Sequence, residues 1–139
     1  MLVRDIMTSP AVTIEPDDEV AEAARVLDRL SLTSLPVVDH DLRLLGIISE
    51  ADVVARLAMA SDAPDATPRV SALMTRRVLS VTPDDELTMV IELMTGTVLK
   101  SLPVLLHGRV VGMVSRRDVV RAFAHGDLDE RTADELSPA

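Results

Sequence analysis

The sequence predicts an α/β protein in which one β-α-β-β-α unit is used twice, and three observations predict it. The first is an internal repeat. VRDIMTSPAVTIEPDDEV (Val3 to Val20) returns as VSALMTRRVLSVTPDDEL (Val70 to Leu87), SLPVV (Ser34 to Val38) as SLPVL (Ser101 to Leu105), and GIISEADVV (Gly46 to Val54) as GMVSRRDVV (Gly112 to Val120). The second is that apolar periodicity switches between helix and strand in the same order in both copies. The third is length: 139 residues make two halves of about 60 residues, each too small to bury a comfortable core alone, so the halves are expected to share one.

Each copy opens with a short β-branched stretch, Val12 to Ile14 or Leu79 to Val81. Pro-Asp-Asp-Glu follows, and there Pro16 or Pro83 and the carboxylates suit a helix start. The helix shows an apolar face at Val20, Ala23, Ala24 and Leu27, and in the copy at Leu87, Val90, Ile91 and Met94, with Gly96 placed to end it. Two strands come next, Leu35 to Val38 and Leu44 to Ile48 around the polar turn Asp39 to Arg43. The copy has Leu102 to Leu106, a His107-Gly108 turn, and Val110 to Val114. Both second strands run into a helix beginning near Ser49 or Ser115. The expected organisation is a first repeat at 1–60, a linker at 61–69 containing Pro64 and Pro68, a second repeat at 70–125, and an acidic tail at 126–139 that should fray.

Composition narrows the function classes. Apolar residues at 47% and charged residues at 27% belong to a folded globular chain. A net charge of −9 disfavours non-specific nucleic-acid binding, and Phe123 as the only aromatic removes the stacking platforms that single strands use. Cysteine is absent, which excludes thiolate metal sites and cysteine nucleophiles. No apolar run reaches the 18 or so residues that span a bilayer, and MLVRDIMTSP lacks the layout of a signal peptide, so the expected location is the cytoplasm with no membrane partner. His40 and His107 occupy equivalent turns, where neighbouring side chains point apart, so a solvated turn is expected rather than a metal site. No histidine has the spacing of a nucleophile–base pair, and no enzymatic constellation is found.

The Met-Thr opening, the Leu-Pro-Val-Val-Asp strand (Leu35 to Asp39) and the closing Gly-x-x-Ser-x-x-Asp, each with its counterpart, resemble the cystathionine β-synthase (CBS) domain over roughly residues 3 to 125. The resemblance implies two repeats packed through their sheets about a pseudo-twofold axis. It further implies clefts that bind adenosine-containing ligands such as AMP, ADP, ATP or S-adenosylmethionine, and a stand-alone regulatory pair, not an enzyme. Such a pair would signal through self-association as a homodimer or through a separate protein partner.

By that resemblance Ser49 and Ser115 lie on the phosphate side, while Asp52 and Asp118 accept hydrogen bonds from a ribose diol. The turn chemistry supports a phosphate, because a helix N-terminus offers unpaired N–H groups and the positive end of the helix dipole. Ser-x-x-Asp is equally the pattern of a capping box, which would satisfy those donors internally. Lys100, Arg116 and Arg117 make the Asp118 cleft the expected better anion site, although all three also suit a solvated surface. Pro36, Val37, Pro103 and Val104, with Val12, Thr13, Leu79 and Ser80, are expected near the base, or else are sheet core. Met7 and Met74 read as core filling. The closing helices carry Val53, Val54, Leu57 and Ala58, or Val119, Val120, Phe123 and Ala124, an apolar excess that suits a dimer interface. The rival to ligand sensing is a structural or interaction module with empty clefts, favoured by Ser34 and Ser101 standing where a basic residue beside the strand proline would help.

Overall fold

The computed structural model describes residues 1–59 and 67–128. Residues 61–66 of the expected linker and 129–139 of the expected tail lie outside the described residues. The chain forms two similar α/β units, and neither is contiguous in sequence. One holds Val12–Val78 with Gly108–Val110; the other holds Met1–Ala11, Leu79–His107 and the chain from Val111 onward. They are called here the first-repeat and second-repeat units.

In the first-repeat unit Pro16 does not begin a helix. It sits at the second position of a β-turn closed by Asp18 N–H to the Glu15 carbonyl (3.1 Å), and the Asp18 carboxylate accepts from Glu15 N–H (2.9 Å). Helix α1, Val20–Leu30, starts only after this turn. Its N-cap Glu19 makes no side-chain cap bond, and the first orphan donor, Val20 N–H, is taken by the Pro68 carbonyl (3.0 Å). The helix buries Val20, Ala23 and Leu27, the face its periodicity predicts. It ends at Ser31 in the left-handed region (φ 54°), where Leu32 N–H reaches the Leu27 carbonyl (2.9 Å) in a Schellman pattern.

Strands β1, Ser34–Val38, and β2, Leu44–Ser49, pair antiparallel with Leu35 opposite Ile48 and Val37 opposite Gly46. The expected strand Val12–Ile14 contributes a single parallel rung, Ile14 N–H to Pro36 carbonyl (3.1 Å) and Val38 N–H to Ile14 carbonyl (2.9 Å). Beside β2, Thr75 and Ile47 exchange both main-chain bonds (2.8 and 2.9 Å). The turn between the strands is an Asx type, in which one Asp39 carboxylate oxygen accepts from Asp41 N–H (2.8 Å) and Arg43 N–H (3.0 Å). The Arg43 N–H bond is the main cause holding the Asp39 carboxyl below its ordinary pKa. His40 stays exposed and pairs with Glu15 through Nδ1 (2.8 Å). Helix α2, Glu50–Ala58, follows β2, and the short helix α3, Val70–Leu73, follows the undescribed stretch.

The second-repeat unit repeats the proline turn, the borrowed helix start and the parallel rung. The Asp85 carboxylate closes the Pro83 turn on Thr82 N–H (2.7 Å), and helix α4, Leu87–Thr95, starts with Leu87 N–H on the Met1 carbonyl (2.9 Å). Val81 supplies the parallel rung to Pro103 and Leu105 (3.0 and 2.8 Å). Strands β3, Ser101–Leu106, and β4, Arg109–Ser115, are joined by His107 and Gly108, both at positive φ (53° and 78°), the type I′ geometry that favours glycine. Helix α5, Arg116–Ala124, closes the unit.

Among the described residues the buried side chains form two clusters. Ile14, Val20, Ala23, Leu27, Leu35, Val37, Ile48 and Val70 make the first. The second is led by Val3, Val81, Leu87, Val90, Leu102, Val104 and Val114. The small-size problem is met by exchange: Val3, from the head of the chain, is fully buried in the core of the second-repeat unit, and Val70 completes that of the first. The exchanged segments also explain the two glycines. A Cβ on Gly46 would lie 2.7 Å from the Thr75 carbonyl oxygen, and one on Gly112 would lie 2.8 Å from that of Thr8.

Candidate functional site: the strand-to-helix turns

The turn from β2 to α2 is a complete capping box. The Asp52 Oδ2 atom accepts from Ser49 N–H (2.8 Å) and the Ser49 hydroxyl (3.0 Å), and Ser49 Oγ accepts from Asp52 N–H (3.3 Å). The turn from β4 to α5 has the same geometry, with Asp118 Oδ2 at 2.8 and 3.0 Å from Ser115 N and Oγ, and Asp118 N–H on Ser115 Oγ at 3.2 Å. The next donors are also satisfied, Glu50 N–H by the Thr33 carbonyl (3.0 Å) and Arg116 N–H by the Lys100 carbonyl (2.9 Å). These bonds leave the second amide of each helix, Ala51 or Arg117, as the first-turn donor not engaged, and both residues are exposed.

Capping therefore uses one oxygen of each aspartate. The second oxygens differ. Asp118 Oδ1 accepts from the Thr8 hydroxyl (3.2 Å) and faces the Arg121 guanidinium (3.8 Å), and Asp118 is only 6% exposed. Asp52 is half-buried, and both of its side-chain bonds go through Oδ2.

The remaining expected site residues divide by exposure. Val37 and Val104 are fully buried, and Pro36 and Pro103 are buried with them, so each pair is a buried part of its own two-stranded sheet. Thr13 is half-buried, while Val12, Leu79 and Ser80 are exposed and offer the surface beside the parallel rung. Ser34 lies opposite Ser49 in the strand register. Lys100, Arg116 and Arg117 are exposed, and the Lys100 carbonyl bond draws the first two to the head of α5.

Comparing the repeats as contiguous blocks misses two features. Thr8 reaches Asp118 across the sequence, and Arg76 and Arg77, both exposed, belong to the first-repeat unit directly after Thr75, which bonds to β2. The signal that finds them is the pairing of Met-Thr with Gly-x-x-Ser, since each Thr lies on the glycine that begins the motif. Among the described residues no three His, Asp or Glu side chains gather as a metal site, and no helix is long and apolar enough to cross a membrane.

Two similar α/β units, each presenting a carboxylate-bearing cap where a strand enters a helix, define a tandem-repeat module. The chain belongs to the CBS domain family, whose profile matches residues 3–59 and 70–125. It is similar to the CBS domain pair of protein MJ0100 crystallised with 5′-methylthioadenosine and S-adenosyl-L-methionine (31% identity, 88% of this chain and 99% of that one, TM-score 0.78). It is also similar to CBSX2 from Arabidopsis thaliana in complex with AMP (28% identity, 91% and 98% covered, TM-score 0.80). Inosine-5′-monophosphate dehydrogenase of Methanocaldococcus jannaschii is 32% identical over 118 residues. That match takes in 84% of this chain but only 22% of the enzyme.

Proposed function

We propose that this chain is a regulatory module that binds an adenosine-containing small molecule, AMP, ADP, ATP or S-adenosylmethionine, without converting it. The observation that carries the reading is the strand-to-helix turn, present twice, which joins an unengaged N2 amide to an aspartate whose cap uses only one oxygen. Such a turn suits a ligand with an anionic or polar group beside a ribose diol. Two similar CBS pairs hold adenosyl ligands, which supports the same chemistry here. Ser49 with Asp52, or alternatively Ser115 with Asp118, would read the ligand. Thr13 and Ser80, with the apolar surface of Val12 and Leu79, would lie beside the base, and Lys100, Arg116, Arg117, Arg76 and Arg77 are the candidate phosphate contacts.

A thermal-shift panel of AMP, ADP, ATP, S-adenosylmethionine and GMP tests this. A ligand at about 100 times its dissociation constant adds about 2.7 kcal/mol, several degrees for a domain this size. At least one adenosyl compound should give that shift and GMP should not. A flat panel favours the second reading, an interaction module whose Ser-x-x-Asp turns only cap helices, which the completeness of both capping boxes recommends. In either reading we infer that output passes through a second copy of the chain. The apolar residues of α2 and α5 that stand in solvent, Val54, Leu57, Val120 and Phe123, supply the surface.

A further inference from the structure

The two aspartates are matched in sequence and in their caps, and differ in what surrounds the second carboxylate oxygen. We infer that this chain holds one adenosyl ligand, read by Asp52 in the first-repeat unit, and that Asp118 is a closed structural carboxylate. The inference rests on the adenosyl reading above and decides between its two candidate turns.

At Asp118 both oxygens are committed, Oδ2 to the cap and Oδ1 to the Thr8 hydroxyl (3.2 Å), with the Arg121 guanidinium at 3.8 Å. A ribose diol would have to displace the hydroxyl and compete with a cation one turn along α5, at a group that is 6% exposed. The counterpart positions around Asp52 lack this arrangement. The counterpart of Arg121 on α2 is Ala55, which carries no charge; Arg56, the next residue, makes no ion pair with Asp52 among the described residues, and the Asp52 bonds stop at the cap on Oδ2. Half-burial suits a carboxylate that a ligand must reach.

The charges agree. The Met-Thr segment of the second-repeat unit continues as Ser9-Pro10, with the Ser9 hydroxyl donated to the Val111 carbonyl (2.8 Å). Its counterpart in the first-repeat unit continues as Arg76-Arg77, both exposed, just past the Thr75 bonds to β2. The unit with the available carboxylate thus receives two cations by exchange, one sign for each end of a nucleotide.

Calorimetric titration of the full chain with AMP, 2′-deoxy-AMP and S-adenosylmethionine tests the assignment. One ligand per chain is expected. Asp52→Asn should weaken binding by about ten- to a hundredfold and erase the preference for AMP over 2′-deoxy-AMP. Asp118→Asn should stay within about twofold of the unmodified chain. If that variant does not fold, carboxyl NMR of the unmodified protein replaces it, and saturating AMP should move the Asp52 resonance and leave Asp118 in place. Two ligands per chain, equal losses in the two variants, or a ligand-induced shift at Asp118 would overturn the inference while keeping the adenosyl reading. No binding of any of the three compounds would sink both.

Discussion

Gly46 and Gly112 are where single residues decide the most. Each lies under the main chain of a segment from the opposite end of the repeat pattern, too close for a side chain, with the sulfur of Met74 or Met7 beside it. Gly46→Ala must push the Thr75 carbonyl away or break the paired Thr75–Ile47 bonds. Overpacking of this kind costs about 1–3 kcal/mol. The expected outcome is a melting temperature lower by several degrees, read by differential scanning calorimetry, with a similar loss for Gly112→Ala. An unchanged transition would mean the exchanged segment gives way freely. The sequence carries both halves of this contact, Met-Thr and Gly-x-x-Ser, and their recurrence is plain. That they touch is not, because a contact between distant segments leaves no periodicity. For the same reason the capping pattern of Asp118 is legible, whereas its Thr8 hydrogen bond is not.

Among the elements, helix faces read well and helix starts do not. The apolar spacing of α1 and α4 identifies the buried residues. Pro-Asp-Asp-Glu, however, looks like a helix opening and forms a carboxylate-closed turn before one. Proline favours both the first helical position and the second position of a β-turn, and the aspartate that folds back on Glu15 or Thr82 settles it for the turn. The closing helices show the opposite case, where amphipathic sequence finds little to cover it. No residue of α2 is buried, Leu57 is 68% exposed, and Phe123 on α5 is 53% exposed. If these faces meet a second copy, sedimentation equilibrium at tens of micromolar should give twice the 15.0 kDa chain mass, and Leu57→Asp with Phe123→Asp should return it to one. A single-chain mass for the unmodified protein would refute the dimer.

At the level of the whole molecule, the repeat and its α/β class are legible, while the composition of the compact units is not. Sequence order suggests that each repeat folds on itself, but main-chain bonds at the helix starts are supplied by segments from elsewhere, Met1 at Leu87 and Pro68 at Val20. Deleting Met1–Ala11 should therefore damage the distant half. Hydrogen exchange should show lost protection at Leu87 and Met113, whose amides or neighbours bond to that segment, with Ile47 and Val38 retained. Loss confined to residues 12–59 would contradict the exchange. The exchange also sets an order of events during synthesis. Val3 is made long before its burial partners Leu87, Leu102 and Val114. The segment carrying Val3 must wait while most of the other unit emerges and becomes able to fold, so a part of the nascent protein made early is among the last to find its place.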